Sequence, residues 1–532
     1  MLELDIRKFF HTSWSQAFQS ALTACNRLDC IILFPSGVYR FDPEKEMTQF
    51  ACISNHNSAT EHPFALILDG CRQIHLKGEG AELRMNTREI IPFRIGNSRD
   101  ITIQGFSIDT ERPCYAQGTV LHSTDCSFEL SVETPDRGES RNGHFFLNGV
   151  PYYGAAEMDP ETLGLRAGTC LNFAEDYPAE IPVEALDERR FLFHGALKQM
   201  PPAGSRLVLR YGRRTTPGIF IEGSDSVKIE DISLWGCAGM GIIAQCSANL
   251  TFRRFNTGIR PGSGRMFSIC ADAIHTVNCR GKIHIEQCSL EHQFDDAINL
   301  HGIYSCLKRR TAPNEFIVER GQHAQAGVPL LEPGNRIRLL SPDNLEELGT
   351  AEITGCHEIS LSEVLIRTAT QLDCPPGTAV ENLSWRPSEI IIRDNIMRHN
   401  NPRGILVTCG GCPIRIENNL IDTPYACISI SGDARFWYES GNVDDLLICG
   451  NRFRGNYGAN NGISKAVIDI RPHISVPRRT PYHGRIRILE NVLESESAIF
   501  LHAEWIRELE IAGNRQTGTE LPRMTIKHCG AC

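Results

Sequence analysis

The sequence predicts an all-β protein wound as a parallel β-helix, and two observations carry that expectation. One pattern, an apolar residue, any residue, an apolar residue, two more and then Asn, recurs at 390–395, 414–419, 446–451, 486–491 and 509–514, at intervals that include 24 and 23 residues. A second column of short apolar segments falls between these, including Gly218-Ile219-Phe220-Ile221, Gly241-Ile242-Ile243-Ala244, Ala297-Ile298-Asn299-Leu300 and Gly404-Ile405-Leu406-Val407. Two or more short strands in each period of about 23 residues, with turn residues between them, describe a solenoid of stacked parallel strands. Leucine-rich repeats share the period but need a helical half that this chain lacks.

The elements follow in order. Ser13-Trp14-Ser15-Gln16 reads as a capping box, and Trp14, Ala17, Phe18, Ala21, Leu22 and Cys25 share one helical face. This predicts a short N-terminal helix that plugs the first coil, followed by a strand over 31–34 and the turn Pro35-Ser36-Gly37. Coils are expected over 1–113, 217–303 and 386–532. The stretches 114–216 and 304–385 lose the period, are rich in turn residues, and alternate as in Arg206-Leu207-Val208-Leu209-Arg210 and Arg336-Ile337-Arg338-Leu339-Leu340. Each predicts an inserted, barrel-like antiparallel β-domain, placed to wall a cleft.

Composition narrows the function. A formal charge of -10 argues against a nucleic-acid partner. No run of 18 apolar residues predicts a membrane span, and the start lacks the basic and apolar regions of a secretory leader, so the expected compartment is the cytoplasm. The 21 cysteines are scattered through strand-like segments, which suits buried free thiols. Cys409-Gly410-Gly411-Cys412 has zinc or redox spacing but no second pair to complete a site, so a structural role is expected.

The chemistry concentrates in one repeat. Asp272-Ala273-Ile274-His275 aligns on Asp296-Ala297-Ile298-Asn299, 24 residues on, with Asp295 immediately before the second. If Ile274, Ile298 and Ile405 point inward, register stacks Asp272, Asp296 and Arg403 in one column and His275 and Asn299 in another, with Asp295 and His301 at the margins. Two aspartates that close repel, so one pKa should rise unless Arg403 compensates. Carboxyls with separated pKa values serve glycoside hydrolysis, where one donates a proton to the leaving oxygen and another activates water. Taken singly, each aspartate is as well explained by backbone bonds at a turn; it is their convergence with a His, an Asn and an Arg that points to catalysis. His284 and Glu286, on the other column, read as solvated surface. A polygalacturonase-like hydrolase, which would need more cations than Arg403 for uronates, is an alternative. So is a non-catalytic glycan-binding solenoid, which would have no use for three acids. A lyase is disfavoured, because no Lys or Arg base stands beside a calcium-type acid cluster.

These motifs are also familiar. The stretch from Ala271-Asp272-Ala273-Ile274-His275 to Phe294-Asp295-Asp296-Ala297-Ile298-Asn299-Leu300-His301-Gly302 resembles the core of the α-1,3-galactosidases of glycoside hydrolase family 110. So do Ser107-Ile108-Asp109, Pro402-Arg403-Gly404, Gly432-Asp433-Ala434 and Trp437-Tyr438-Glu439. The resemblance implies a right-handed, pectin-lyase-like β-helix and an inverting exo-enzyme that releases terminal α-1,3-linked galactose, as on blood-group B or linear α-galactosyl glycans. It matches Asp295 to the general acid and Asp272 with Asp296 to the general base. Arg403, Trp437 and Glu439 fall in family-like motifs as sugar-binding candidates, alongside His275, Asn299 and His301 from the register. No metal or organic cofactor is implied, and oligomeric state is left open.

Overall fold

A computed structural model of the chain describes residues 2–530, apart from 57–58, 170–180, 196, 198–199 and 459–462. Its spine is a parallel β-helix with three strand columns per coil. One column stacks Ile74, Ile101, Val227, Leu250, Ile283, Ile390, Ile414, Leu446, Ile486 and Leu509 in parallel register. A second stacks Leu290, Met397, Ile421, Phe453 and Leu493. The third, which carries the site, stacks Ile219, Ile242, Ile274, Ile298, Ile405, Ile428, Ile468 and Leu501. All but Leu509 are essentially inaccessible and belong to one continuous core. Burying each such side chain stabilises the fold by roughly 1.5–3 kcal/mol, so the repeat is the main source of its stability.

The Asn of the repeat has a physical reason. Asn395, Asn419, Asn451, Asn491 and Asn514 lie one above another inside the turn that ends the first column. From Asn419 onward the Oδ1 of each accepts the backbone N–H of the Asn one coil earlier, at 2.9–3.0 Å, and Asn395 Oδ1 accepts the N–H of Cys288 at 2.9 Å. Each Nδ2 donates to a strand carbonyl, Ile285, Ile392, Ile416, Ile448 and Ile488 in turn. Backbone groups that the turn takes out of the β-ladder are thereby satisfied without water. A shorter serine ladder does similar work earlier in the chain: Ser98, Ser224 and Ser247 each accept a backbone N–H through Oγ at 3.0–3.1 Å. The Asn spacing was legible as a repeat; the serines have no such pattern around them.

The first coil is plugged by the helix Trp14–Ala24, whose Ser13 Oγ accepts the N–H of Gln16 at 3.2 Å and whose Ala17, Phe18, Ala21 and Leu22 are buried in the core. Trp14 is only partly buried and packs edge-on against Tyr39.

Two antiparallel sheets interrupt the coils. The first has eight strands, running in spatial order from Gly138–Arg141 through Val150–Met158, Arg206–Tyr211 and Ala116–Ser123 to Val183–Ala185, around its own aromatic core. Its two end strands approach where Val183 N–H donates to Gly143 O at 2.8 Å. The second is a closed ring of six: Ile298–Ala312 pairs with Glu315–Arg320 and Ala379–Asn382, and Glu363–Thr368, Glu347–Glu358 and Arg336–Leu340 complete the circuit. The strand Ile298–Ala312 belongs to both bodies. Its first four residues pair with Ile405–Thr408 in the solenoid and its later ones build the barrel, so the barrel is anchored in the coil that carries Asp296.

Among the described residues no helix is long and apolar enough to cross a membrane, and all described cysteines are free, Cys409 and Cys412 within the solenoid core.

Candidate active site

The turn that enters the site column brings three residues onto consecutive coils. Gly241 N–H donates to Asp272 O at 2.8 Å, Ala273 N–H to Asp296 O at 3.1 Å and Ala297 N–H to Arg403 O at 3.1 Å. Small residues make this stacking possible: a Cβ on Gly404 would lie 2.4 Å from Cys427 O, so the backbone beside Arg403 can come this close to the next coil only as glycine.

Asp296 is 1% exposed and clamped. Arg403 Nε donates to Oδ1 at 3.0 Å, Nη2 to Oδ2 at 2.9 Å, and the Arg403 backbone N–H to Oδ1 at 3.2 Å. Burial still dominates, with Arg403 opposing it and Asp272 reinforcing it, and pushes the Asp296 carboxyl up to about 6. Asp272, 2% exposed, is bonded through Oδ2 to His275 Nδ1 at 2.5 Å. Burial favours its neutral form, but the His275 bond and the charges of Arg214 and Arg403 outweigh it, and its pKa lies below the ordinary carboxylate value. Asp295 differs from both. It lines an open cleft of about 820 Å³, where Arg214 pairs with its Oδ2 and the Asp296 N–H donates to Oδ1 at 3.1 Å.

Glu439 reaches the same place from another direction. The short strand Glu439–Ser440 pairs antiparallel with Gly302–Ile303, immediately after His301, and sets the carboxyl 4.0 Å from His301 Nε2. Burial raises its pKa, against Arg403 and His275. Asp433 shapes the loop before it by accepting the N–H groups of Arg435, Phe436 and Trp437 at 2.7–3.1 Å. The loop holds Phe436 and Trp437 out at the mouth of the cleft, 68% and 48% exposed.

Of the nine residues singled out from the sequence, Asp295, Arg403, Trp437 and Glu439 line the cleft. Asp272 and Asp296 stand behind it. His275 and His301 do not present a nitrogen to a sugar: His275 spends Nδ1 on Asp272 and Nε2 on His301 at 2.8 Å, and His301 spends Nδ1 on Gly302 O at 2.7 Å. The register turned them outward from the coil, but the Glu439 strand and the barrel cover that face. Asn299 is likewise buried, bonded to Glu439.

Sequence reasoning missed Arg214, named Asp433 only within a family-like motif and without a role, and counted one cation in the column, where six described cations line the cleft: Arg210, Arg214, Arg403, Arg435, Lys465 and Arg471. The five besides Arg403 come from the inserted sheet's last strand and exit and from loops, where no period marks them. Arg214 pairs with Asp295, Arg403 with Asp296, Arg435 with Asp343 and Arg471 with Asp469. Among the described residues no cluster of three His, Cys, Asp or Glu is placed to hold a metal ion.

No family model matches the chain. Individual relatives do. It is 30% identical over 509 residues to an alpha-1,3-galactosidase B of Bacteroides thetaiotaomicron, covering 93% of this chain and 82% of that one. It is 29% identical over 514 residues to an alpha-1,3-galactosidase B of Akkermansia muciniphila, covering 94% and 63%. It is 26% identical over 488 residues to an alpha-1,3-galactosidase A of Shewanella woodyi, covering 89% and 78%. The chain belongs to the alpha-1,3-galactosidase family, and is a glycoside hydrolase with a glycan as its substrate.

Proposed function

We propose that the enzyme removes terminal α-1,3-linked galactose from the non-reducing end of a glycan with inversion at the anomeric carbon. What carries this reading is the unequal placement of the acids: Asp295 faces the cleft, and Asp272 and Asp296 stand on adjacent coils behind it. Asp295 is the general acid, protonating the departing glycosidic oxygen as the bond to C1 breaks. A water attacks C1 from the opposite face and gives its proton to the Asp272 and Asp296 pair.

Within that pair Asp272 is the better acceptor. Both oxygens of Asp296 are held by Arg403, whereas among the described residues no hydrogen bond falls on Asp272 Oδ1. Arg214 favours the ionised form of Asp295, so in this scheme the guanidinium turns from the carboxyl to a sugar hydroxyl when substrate binds. Trp437 offers an apolar face to the sugar, and Glu439 and Arg403 bind hydroxyls. The free thiols suit a reducing compartment, and we place the enzyme in the cytoplasm.

The test is hydrolysis of an α-1,3-galactobiose, followed by NMR from the first turnovers. Initial release of β-galactose supports the reading. Release of α-galactose removes inversion from it, and hydrolysis of polygalacturonate in preference to the galactobiose removes the substrate.

A further inference from the structure

Behind the cleft lies a chain of hydrogen bonds that the hydrolytic scheme leaves unused. It runs from Asp272 Oδ2 to His275 Nδ1 at 2.5 Å, from His275 Nε2 to His301 Nε2 at 2.8 Å, and from His301 Nδ1 to Gly302 O at 2.7 Å. His275 and His301 are 0% and 2% exposed, so the two rings exchange protons along the chain and not with bulk water; Asp272, 2% exposed, keeps Oδ1 outside the chain's bonds.

The proton count follows from chemistry. A carbonyl oxygen only accepts, so His301 carries a hydrogen on Nδ1. If both rings were neutral with that hydrogen and one on His275 Nδ1, two lone pairs would face each other across 2.8 Å. The bond between the two Nε2 atoms therefore holds a proton, and so does the bond between His275 and Asp272. Three bonds hold three protons and the trio is electrically neutral. It can be drawn as a protonated Asp272 with two neutral rings, or as an Asp272 carboxylate with its counter-charge on His275 or on His301.

We propose that Asp272, His275 and His301 act as one three-membered proton chain in which His301 is a positioning residue: its lone pair stabilises a cationic His275, which keeps Asp272 ionised with Oδ1 turned to the attacking water. The proposal rests on the reading of Asp272 as a general base. Burial lowers the His275 pKa, and so does a charge on His301; the bond to Asp272 and the carboxylates of Asp272 and Glu439 oppose it, and the neighbouring His56 is driven neutral by burial, down to about 3. What the cation needs in addition is an acceptor for its Nε2–H, and the His301 lone pair at 2.8 Å supplies one. Asp272 is faced by Arg214 and Arg403 as well as His275, and by the carboxyls of Asp296 and Glu439. Burial holds an isolated His301 down to about 4, which makes it a lone-pair acceptor across the working pH range.

The proposal fixes the direction of a pH effect. Without an acceptor at residue 301, a cationic His275 is left with a buried N–H unpaired, and the ring gives up its charge. Asp272 loses its nearest cation and holds its own proton to higher pH, so the acidic limb of kcat/KM moves upward.

The test compares pH profiles of kcat/KM for the wild type, His301→Leu and His301→Gln, the last supplying an amide oxygen as acceptor. The expected result is an upward displacement of the acidic limb by roughly one pH unit in His301→Leu, largely restored in His301→Gln. A His301→Leu limb that coincides with the wild type while the rate falls overturns the proposal, because a purely structural role lowers the amplitude without moving the limb. Ring-nitrogen NMR of 15N-histidine-labelled wild type, assigned with His275→Gln and His301→Gln, tests the chain even if His301→Leu does not fold or the galactobiose is not a substrate. Hydrogen on both nitrogens of His275, with His301 carrying hydrogen on Nδ1 alone, between pH 5 and 8 supports it; a neutral His275 with Nδ1 bare, or hydrogen on His301 Nε2 in a neutral ring, overturns it.

Discussion

Arg403 grips Asp296 with a two-pronged ion pair, Nε to Oδ1 at 3.0 Å and Nη2 to Oδ2 at 2.9 Å, across the boundary between successive coils. Asp296 is 1% exposed, so removing the guanidinium strands a carboxylate with no solvent to take its place. Arg403→Met is expected to lose about 3 kcal/mol of stability in urea unfolding and to hydrolyse at least about a hundredfold more slowly. Arg403→Lys keeps the charge but not the fork, and should recover stability better than rate.

The same pair sets a pH dependence of stability. Burial lifts the Asp296 carboxyl to about 6, above the ordinary 3.8 that holds when the chain is unfolded. Between about pH 4 and pH 6 the folded chain retains a proton that the unfolded chain has released, so the contribution of this site is present at low pH and lost as pH rises through 6. Asp272, with its pKa depressed, contributes in the opposite sense, losing stability as pH falls. Subtracting the urea-unfolding free energy of Asp296→Asn from that of the wild type isolates the first effect. The difference is expected to fall across pH 4 to 6; a difference that rises would mean that Arg403 outweighs burial.

Trp437 lies at the mouth of the cleft with nearly half its surface exposed, on a loop tied down by Asp433. Trp437→Ala should raise KM by about tenfold, the equivalent of about 1.4 kcal/mol of lost apolar contact, with a smaller change in kcat. Asp433→Ala frees three backbone N–H groups and should produce the same KM effect through disorder of the loop, visible as faster hydrogen exchange at Phe436 and Trp437.

Asn451 is fully buried in the Asn ladder, where it accepts from Asn419 and donates to Ile416 O at 2.8 Å and to Asn491 at 3.0 Å. Asn451→Ala leaves groups on both neighbouring coils unpaired, each at about 1–3 kcal/mol, so a loss of at least about 3 kcal/mol is expected in urea unfolding. No residue of the ladder lines the cleft, and kcat/KM per folded molecule should be unchanged.

The contrast between these residues shows what a sequence discloses. The columns of Ile and Asn, and the stacking of Asp272 on Asp296 and Arg403, repeat with the coil, so their spacing alone placed them. Arg214, Asp433 and the strand of Glu439 reach the cleft from outside the repeat, and only the folded chain reveals which coil they meet. His275 and His301 show the other limit. Register gave their direction, outward, but not the strand that covers them, and so two residues expected to touch a sugar turned out to be bonded to each other.

The assignment of Asp295 as the proton donor is tested most directly by changing the leaving group. Asp295→Asn should hydrolyse an α-1,3-galactobiose at least about a hundredfold more slowly than the wild type, yet retain most of the wild-type rate on 2,4-dinitrophenyl α-galactoside, whose phenolate departs without a proton. An equal loss on both substrates would contradict the account, because Asp295 would then be needed for something other than protonating the departing oxygen.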